Sequence, residues 1–263
     1  MGVLASRIMC GVLSSAAMFS AHAAPVTGPA VNPLLTRAPD TLSTADVRGL
    51  QQRVADFGQT AHYRQANAAL KPAVAPRVVF FGDSITQGWG EEGGAQFFPG
   101  KGYLNRGISG QTTAQMLVRF RQDVIALKPA VVVILAGTND IAGNTGPAPL
   151  DMIAGQLSSM AELARAHGIE VVLSSVLPVS DYPWQSGVAP APKVRALNDA
   201  LKAYAAANGL VYLDYHTPMA NAAGGLDRAL AEDGVHPTAK GYAVMAPLAE
   251  QAIGQALAQR GKR

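Results

Sequence analysis

From about residue 77 onward, short β-branched and aromatic runs alternate with longer stretches in which apolar residues recur every three or four positions. Arg77 to Phe81, Tyr103 to Gly107, Val131 to Leu135, Glu170 to Ser174 and Leu210 to Asp214 read as five strands. Between the second and third, Met116, Leu117, Phe120, Val124 and Leu127 lie on one helical face, and the helix must stop before Pro129. Leu150, Ile153, Leu157, Met160 and Leu163 mark a second helix, closed by His167 and Gly168. Val194, Leu197, Leu201 and Tyr204 mark a third, ending at Asn208 and Gly209. A last helix begins with Thr238 as N-cap and carries Tyr242, Met245, Leu248 and Ile253.

Strict strand and helix alternation predicts an α/β fold: a parallel sheet with helices on both faces, binding its ligands beyond the carboxyl ends of the strands. Upstream, Thr44 to Leu70 has a helical pattern, with Val47, Leu50, Val54 and Phe57 on one spacing and Tyr63, Ala66 and Leu70 on another. These helices are expected to cover an edge or face of the sheet. Residues 44–260 read as one domain, and residues 25–43, rich in Pro, Ala and Thr, as an extended lead. Pro178 to Pro190 is the longest irregular insertion, suited to a lid or a cleft wall, with Tyr182 and Trp184 as candidate ligand contacts or simple packing residues.

The first 24 residues change the picture of location. Arg7 precedes an apolar stretch from Ile8 to Phe19, and Ala21-His22-Ala23 follows as an A-x-A cleavage signature, so a removable signal peptide and a secreted or periplasmic protein are expected. No stretch approaches 18 uninterrupted apolar residues, which argues against stable membrane insertion. Cys10, the one cysteine, lies inside this leader, leaving the processed chain without thiol chemistry. The chain carries a net charge of +3, but its Lys and Arg residues are scattered, unlike the clustered cations of nucleic-acid binders. Neither a metal-ligand cluster nor a phosphate-binding glycine loop is evident, so no cofactor is expected. The oligomeric state is left open.

The strand ends hold the chemistry. Gly82-Asp83-Ser84 follows strand one, Gly107 ends strand two, Gly137-Thr138-Asn139-Asp140 follows strand three, and Asp233-Gly234-Val235-His236-Pro237 follows strand five after an intervening segment. A serine hydroxyl needs an imidazole to take its proton and a carboxylate to hold that imidazole in the useful tautomer. Ser84, His236 and Asp233 have the right types, with Gly234 permitting a tight turn between the last two. The Asn139 amide and the N–H groups of Gly107 and Ser84 are suitable oxyanion donors. Each feature alone has a plainer explanation. G-D-S is a good turn sequence, D-x-x-H a common helix cap, Asn139 a capping residue and Gly107 a site of positive φ. Their joint arrival at successive strand ends is what points to acyl transfer. Asp83 is expected to organise the loop, as is Asp140, while His216 lies near the functional edge as a candidate substrate contact and His62 and His167 read as structural.

The segments Phe81 to Thr86, Asn105 to Gly110, Gly137 to Asp140 and Asp233 to Pro237 resemble, in order, the four sequence blocks of SGNH (GDSL-like) hydrolases, over about residues 76–255. The resemblance implies a three-layer α/β/α, flavodoxin-like doubly wound five-stranded parallel sheet. It also implies Ser84, Gly107, Asn139 and His236 as signature residues and Asp233 as triad acid. Gly107 to Thr113 and Gly137 to Pro147 look like the branch of secreted acylhydrolases related to platelet-activating-factor acetylhydrolase, with carbohydrate acetylesterases also similar. Short acyl esters, above all acetyl esters of small molecules or carbohydrates, are the implied substrates. The rivals are a thioesterase or lysophospholipase acting on longer chains, a non-catalytic glycan- or lipid-binding protein, and a phosphate cradle at Gly82 to Thr86. Asp83 and the lack of a nearby lysine disfavour the last.

Overall fold

The computed structural model describes residues 33–70, 78–90 and 97–262. The expected signal peptide and residues 25–32 of the expected lead lie outside the described residues; the rest of that lead is not extended as expected but holds helical turns at Pro33–Thr36 and Pro39–Thr41. Five parallel strands, β1 (Val78–Gly82), β2 (Leu104–Gly107), β3 (Val131–Leu135), β4 (Glu170–Ser174) and β5 (Val211–Leu213), form one sheet in the order β2-β1-β3-β4-β5. The expected doubly wound α/β sheet is therefore present. The chain reverses direction across the sheet between β1 and β3, and crevices open at such switch points. Ten α-helical segments accompany the strands among the described residues: α1 (Pro33–Thr36), α2 (Thr44–Ala55), α3 (Arg64–Ala68), α4 (Ser84–Gln87), α5 (Thr113–Asp123), α6 (Thr138–Ile141), α7 (Leu150–Ala166), α8 (Pro190–Asn208), α9 (His216–Met219) and α10 (Ala239–Arg260).

Both sheet faces are covered, which explains why β1, β3 and β4 are buried along their whole length instead of alternating. Val79, Phe81, Val132 and Ile134 face one layer, where α5, α7 and α8 contribute Met116, Phe120, Leu157, Val194 and Leu197. Val78, Phe80, Val131 and Val133 face the other, where α10 contributes Met245, Ala249 and Ile253 beside Trp89 and Phe98. The caps follow the sequence: Thr238 Oγ1 accepts from Gly241 N at the start of α10, and Gly209 closes α8 in the left-handed conformation.

As the two spacings suggest, Thr44 to Leu70 forms two helices, α2 and α3, with a turn region between them, and it meets the edge strand β2, where the Tyr63 hydroxyl donates to Gly107 O and the Arg106 guanidinium lies 4.7 Å over the Tyr63 ring. Its first apolar spacing does not face the sheet, however: Val47, Val54 and Phe57 are exposed, Val54 by 85%. The segment instead attaches through polar contacts, with Gln115 Nε2 donating to Phe57 O (2.8 Å), Gln111 Nε2 to Gly58 O (3.0 Å) and Asn67 Nδ2 to Asp123 Oδ1 (2.7 Å). The second and fifth strands also begin one residue later than the hydrophobic runs suggest.

Candidate active site

Four chain segments converge beyond the carboxyl ends of β1, β2 and β3. β1 runs straight into Asp83, whose Oδ1 accepts from Ile85 N (3.0 Å) and caps the single turn of α4, so that Ser84 becomes its first residue. From the far end of the sequence, the loop before α10 brings in His236. Its Nε2 lies 2.9 Å from Ser84 Oγ, and its Nδ1 lies 2.6 Å from Asp233 Oδ2. Asp233 Oδ1 also accepts from Val235 N (2.9 Å) and His236 N (2.8 Å), a tight turn that places Gly234 at a φ of 83°. With its Nδ1–H donated to the carboxylate, the ring presents Nε2 as acceptor for the serine hydroxyl.

Burial works to raise the Asp233 carboxyl, but the His236 ring and the two backbone N–H donors outweigh it and hold the group below its usual range. Asp233 is thus ionised at neutral pH and available to stabilise an imidazolium. The loop is tied to the Ser84 segment a second time, because Tyr242 of α10 donates its hydroxyl to Ile85 O at 2.8 Å.

Asn139, buried in α6, is held on both sides of its amide. Its Nδ2 donates to Gln111 O (3.0 Å), and its Oδ1 accepts from Asn144 Nδ2 (2.9 Å). That pairing assigns the amide orientation. Gly107 stands where nothing larger fits, since a Cβ would lie 2.1 Å from Gln87 N and 2.7 Å from Asp83 O. Its N–H donates to Asn105 Oδ1 (2.9 Å), a contact that sequence inspection did not foresee. The Asn105 amide is itself anchored to Thr86 O (2.6 Å) and Trp89 O (3.2 Å).

The two other carboxyls near the site do what their neighbours allow. Burial pushes Asp83 up to about 7, and Asp83 Oδ2 has no hydrogen-bond partner among the described residues. Burial likewise lifts Asp140 to about 6, although Thr113 N and Oγ1 donate to it and so join the β3 loop to the start of α5. Neither touches His236 as Asp233 does. Tyr182 is wholly buried, bonded through its hydroxyl to Thr138 O (2.9 Å), so it is a packing residue and not a cleft wall. Trp184 is 41% exposed, its ring 6.0 Å from that of His236 and its Nε1 bonded to Asn144 Oδ1 (3.3 Å). His216 lies apart, in a hollow shared with Arg195, Asp199 and Lys202. A cavity of about 670 Å³ adjoins the site, lined by Arg228, Glu232, Asp233, His236 and Lys240, with Ser84 outside its lining.

Residues 80–244 match the model of the GDSL-like lipase/acylhydrolase family. The chain belongs to that family. Membership places it among the carboxylic ester hydrolases, as the four sequence blocks imply. A GDSL-like lipase from Bacteroides thetaiotaomicron of known crystal structure is 47% identical, with a TM-score of 0.73, over 76% of this chain and 99% of that one. An isoamyl acetate-hydrolyzing esterase 1 homolog from Bos taurus is 32% identical over 54% of this chain and 65% of its own length. The acetylxylan esterase Axe2 of Geobacillus stearothermophilus shares the fold, at 24% identity and a TM-score of 0.54, over 67% of this chain and 93% of that one. Three curated relatives are matched over 32%, 60% and 65% of their own lengths, so this chain spans less than two thirds of each. Among the described residues no helix is long and apolar enough to cross a membrane, and no group of three or more His, Cys, Asp or Glu could hold a metal ion.

Proposed function

We propose that this GDSL-family protein is a serine ester hydrolase that cleaves short-chain acyl esters, above all acetyl esters, through an acyl-enzyme intermediate. The observation that carries the reading is the unbroken hydrogen-bond chain from Ser84 Oγ through His236 to Asp233. In this mechanism Ser84 Oγ attacks the ester carbonyl carbon while its proton passes to His236 Nε2, and the ionised Asp233 stabilises the resulting imidazolium. The tetrahedral oxyanion is met by the free amide hydrogen of Asn139 and the Ser84 N–H. The Gly107 N–H joins them by sharing its hydrogen between Asn105 and the stronger, charged acceptor. His236 then returns the proton to the departing alcohol as the C–O bond breaks. Water attacks the acyl-serine by the same route in reverse, releasing the carboxylic acid and the free serine.

The bovine relative's name, which specifies an acetate ester, favours a short acyl group. The cavity beside His236, walled in part by Arg228, Glu232 and Lys240, suits a polar alcohol portion. We take residues 44–260 as one catalytic domain and the first 24 residues as a signal that directs the protein out of the cytoplasm, with small-molecule or carbohydrate esters as substrates. The test is hydrolysis of p-nitrophenyl acetate, butyrate and octanoate by the parent, Ser84→Ala and His236→Ala proteins. Turnover that falls with chain length and drops by about four orders of magnitude or more in both variants is expected. A parent fastest on octanoate would move the reading to long-chain thioester or lysophospholipid substrates, and full activity in Ser84→Ala would overturn the mechanism.

A further inference from the structure

Arg119, in the middle of α5, has no exposed surface and no place in the reaction just described. Its guanidinium packs 4.2 Å over the Phe81 ring and donates in four directions. Nη2 reaches Gly82 O (2.9 Å), Nη1 reaches both Arg106 O (2.9 Å) and Asp123 Oδ2 (3.1 Å), and Nε reaches Gln111 Oε1 (2.6 Å). These acceptors are not a random set. Gly82 precedes the Asp83–Ser84 turn. The Arg106 carbonyl shares a peptide plane with the Gly107 N–H, and in a trans peptide the two point oppositely, so holding the oxygen aims the hydrogen. Gln111 supplies the carbonyl that holds the Asn139 amide. Each proposed oxyanion donor is therefore tied, through neighbouring peptides or through Gln111, to a single buried fork.

We infer that Arg119 is a positioning residue that sets the mutual geometry of the Ser84, Gly107 and Asn139 donors. The inference rests on the ester-hydrolase reading above and adds to it a residue that never meets substrate. Asp123 supplies the charge partner, and a buried guanidinium needs acceptors for its other N–H groups wherever it sits, so what is informative is which acceptors this one takes. The remaining three bonds go to the end of β1 and to two points between β2 and α5, from which Gln111 O reaches Asn139 after β3, and a planar guanidinium can hold them together where an ammonium cannot. Small displacements are expensive at such a site: about 1 Å of misplacement costs on the order of a hundredfold in rate.

The experiment compares the parent with Arg119→Lys and Gln111→Leu. Ser84 in each is titrated with a fluorophosphonate so that rates are expressed per intact site, and each is assayed on p-nitrophenyl acetate. Affinity for a trifluoromethyl ketone, which forms a tetrahedral adduct with the serine, is measured beside affinity for acetate. For Arg119→Lys the expected result is a kcat per titrated site about 10- to 100-fold lower, KM within about twofold, and weakened ketone binding with unchanged acetate binding. Gln111→Leu removes one arm of the fork together with the Gln111 Nε2 bonds to Gly58 O and Gln59 Oε1, far from the proposed donors; it is expected to show the same pattern at about tenfold and carries the test if Arg119→Lys does not fold. Lower thermal stability with an unchanged kcat per site in whichever variants fold would overturn the inference and leave Arg119 a structural residue. A parent that neither turns over esters nor labels would sink both readings, whereas an active parent matched by its variants sinks only this one.

Discussion

Replacing Asp83 by Asn should change how stability depends on pH in a way that can be worked from the structure. Asp83 is 1% exposed, its Oδ1 is used by Ile85 N–H, and its Oδ2 has no partner among the described residues. Burial is the main reason its pKa rises from 3.8 to about 7, with the negative charge of Asp140 adding to it while the Ile85 N–H and His236 pull the other way. Between those two values the folded protein holds a proton that the unfolded chain has released. The contribution of Asp83 to the parent's stability must therefore decline as pH rises through this window, by about 1.4 kcal/mol per pH unit and about 4 kcal/mol in all. Asn keeps the oxygen that caps α4 but cannot ionise. Its amide hydrogens need a partner where Oδ2 had none, a constant offset of about 1–3 kcal/mol that does not vary with pH. The slope of the difference, not its absolute value, is thus diagnostic. Urea unfolding of both proteins at several pH values should show the Asn variant gaining about 3 kcal/mol on the parent between about pH 5 and pH 8. A difference flat to within about 0.5 kcal/mol across that range would refute a buried, ionisable Asp83.

Three other outcomes are expected. Asp233→Asn leaves the turn but removes the charge that stabilises the imidazolium, so kcat on p-nitrophenyl acetate should fall by about 10³- to 10⁴-fold with little change in melting temperature. Trp184→Ala removes an exposed ring beside His236, and steady-state kinetics should show KM raised several-fold, roughly threefold or more, with kcat little altered. Gly107→Ala forces a methyl to within 2.1 Å of Gln87 N, backbone that cannot move aside, and should cost about 3 kcal/mol or more of stability by denaturant unfolding.

The sheet was legible in the sequence because its strands are buried on both faces: Val131 to Leu135 and Glu170 to Ser174 stand out as apolar runs and match β3 and β4 end to end. The helices α5, α7, α8 and α10 were legible from the period of their core-facing residues. Val47, Leu50, Val54 and Phe57 misled because periodicity reports an apolar stripe and not what covers it. The segments of the site could be placed from strand ends alone, yet two of its determinants could not. Asn105 occupies the Gly107 N–H, and Arg119 ties the end of β1 to the stretch between β2 and α5; residue type and spacing alone reveal neither contact. Tyr182 likewise sits in a loop rich in turn residues, and only tertiary packing turns it inward.

The two halves of the hydrogen-bonded relay come from opposite regions of the polypeptide, 152 residues apart, and the helix that follows His236 clasps the serine segment through Tyr242. In the proposed mechanism a growing chain therefore displays its serine long before it holds the base that would activate it. Until α10 seats on the sheet that serine is no more reactive than any other alcohol. Hydrolytic power would then arrive with the completed fold, and a molecule whose last helix is nicked or frayed would lose most of it.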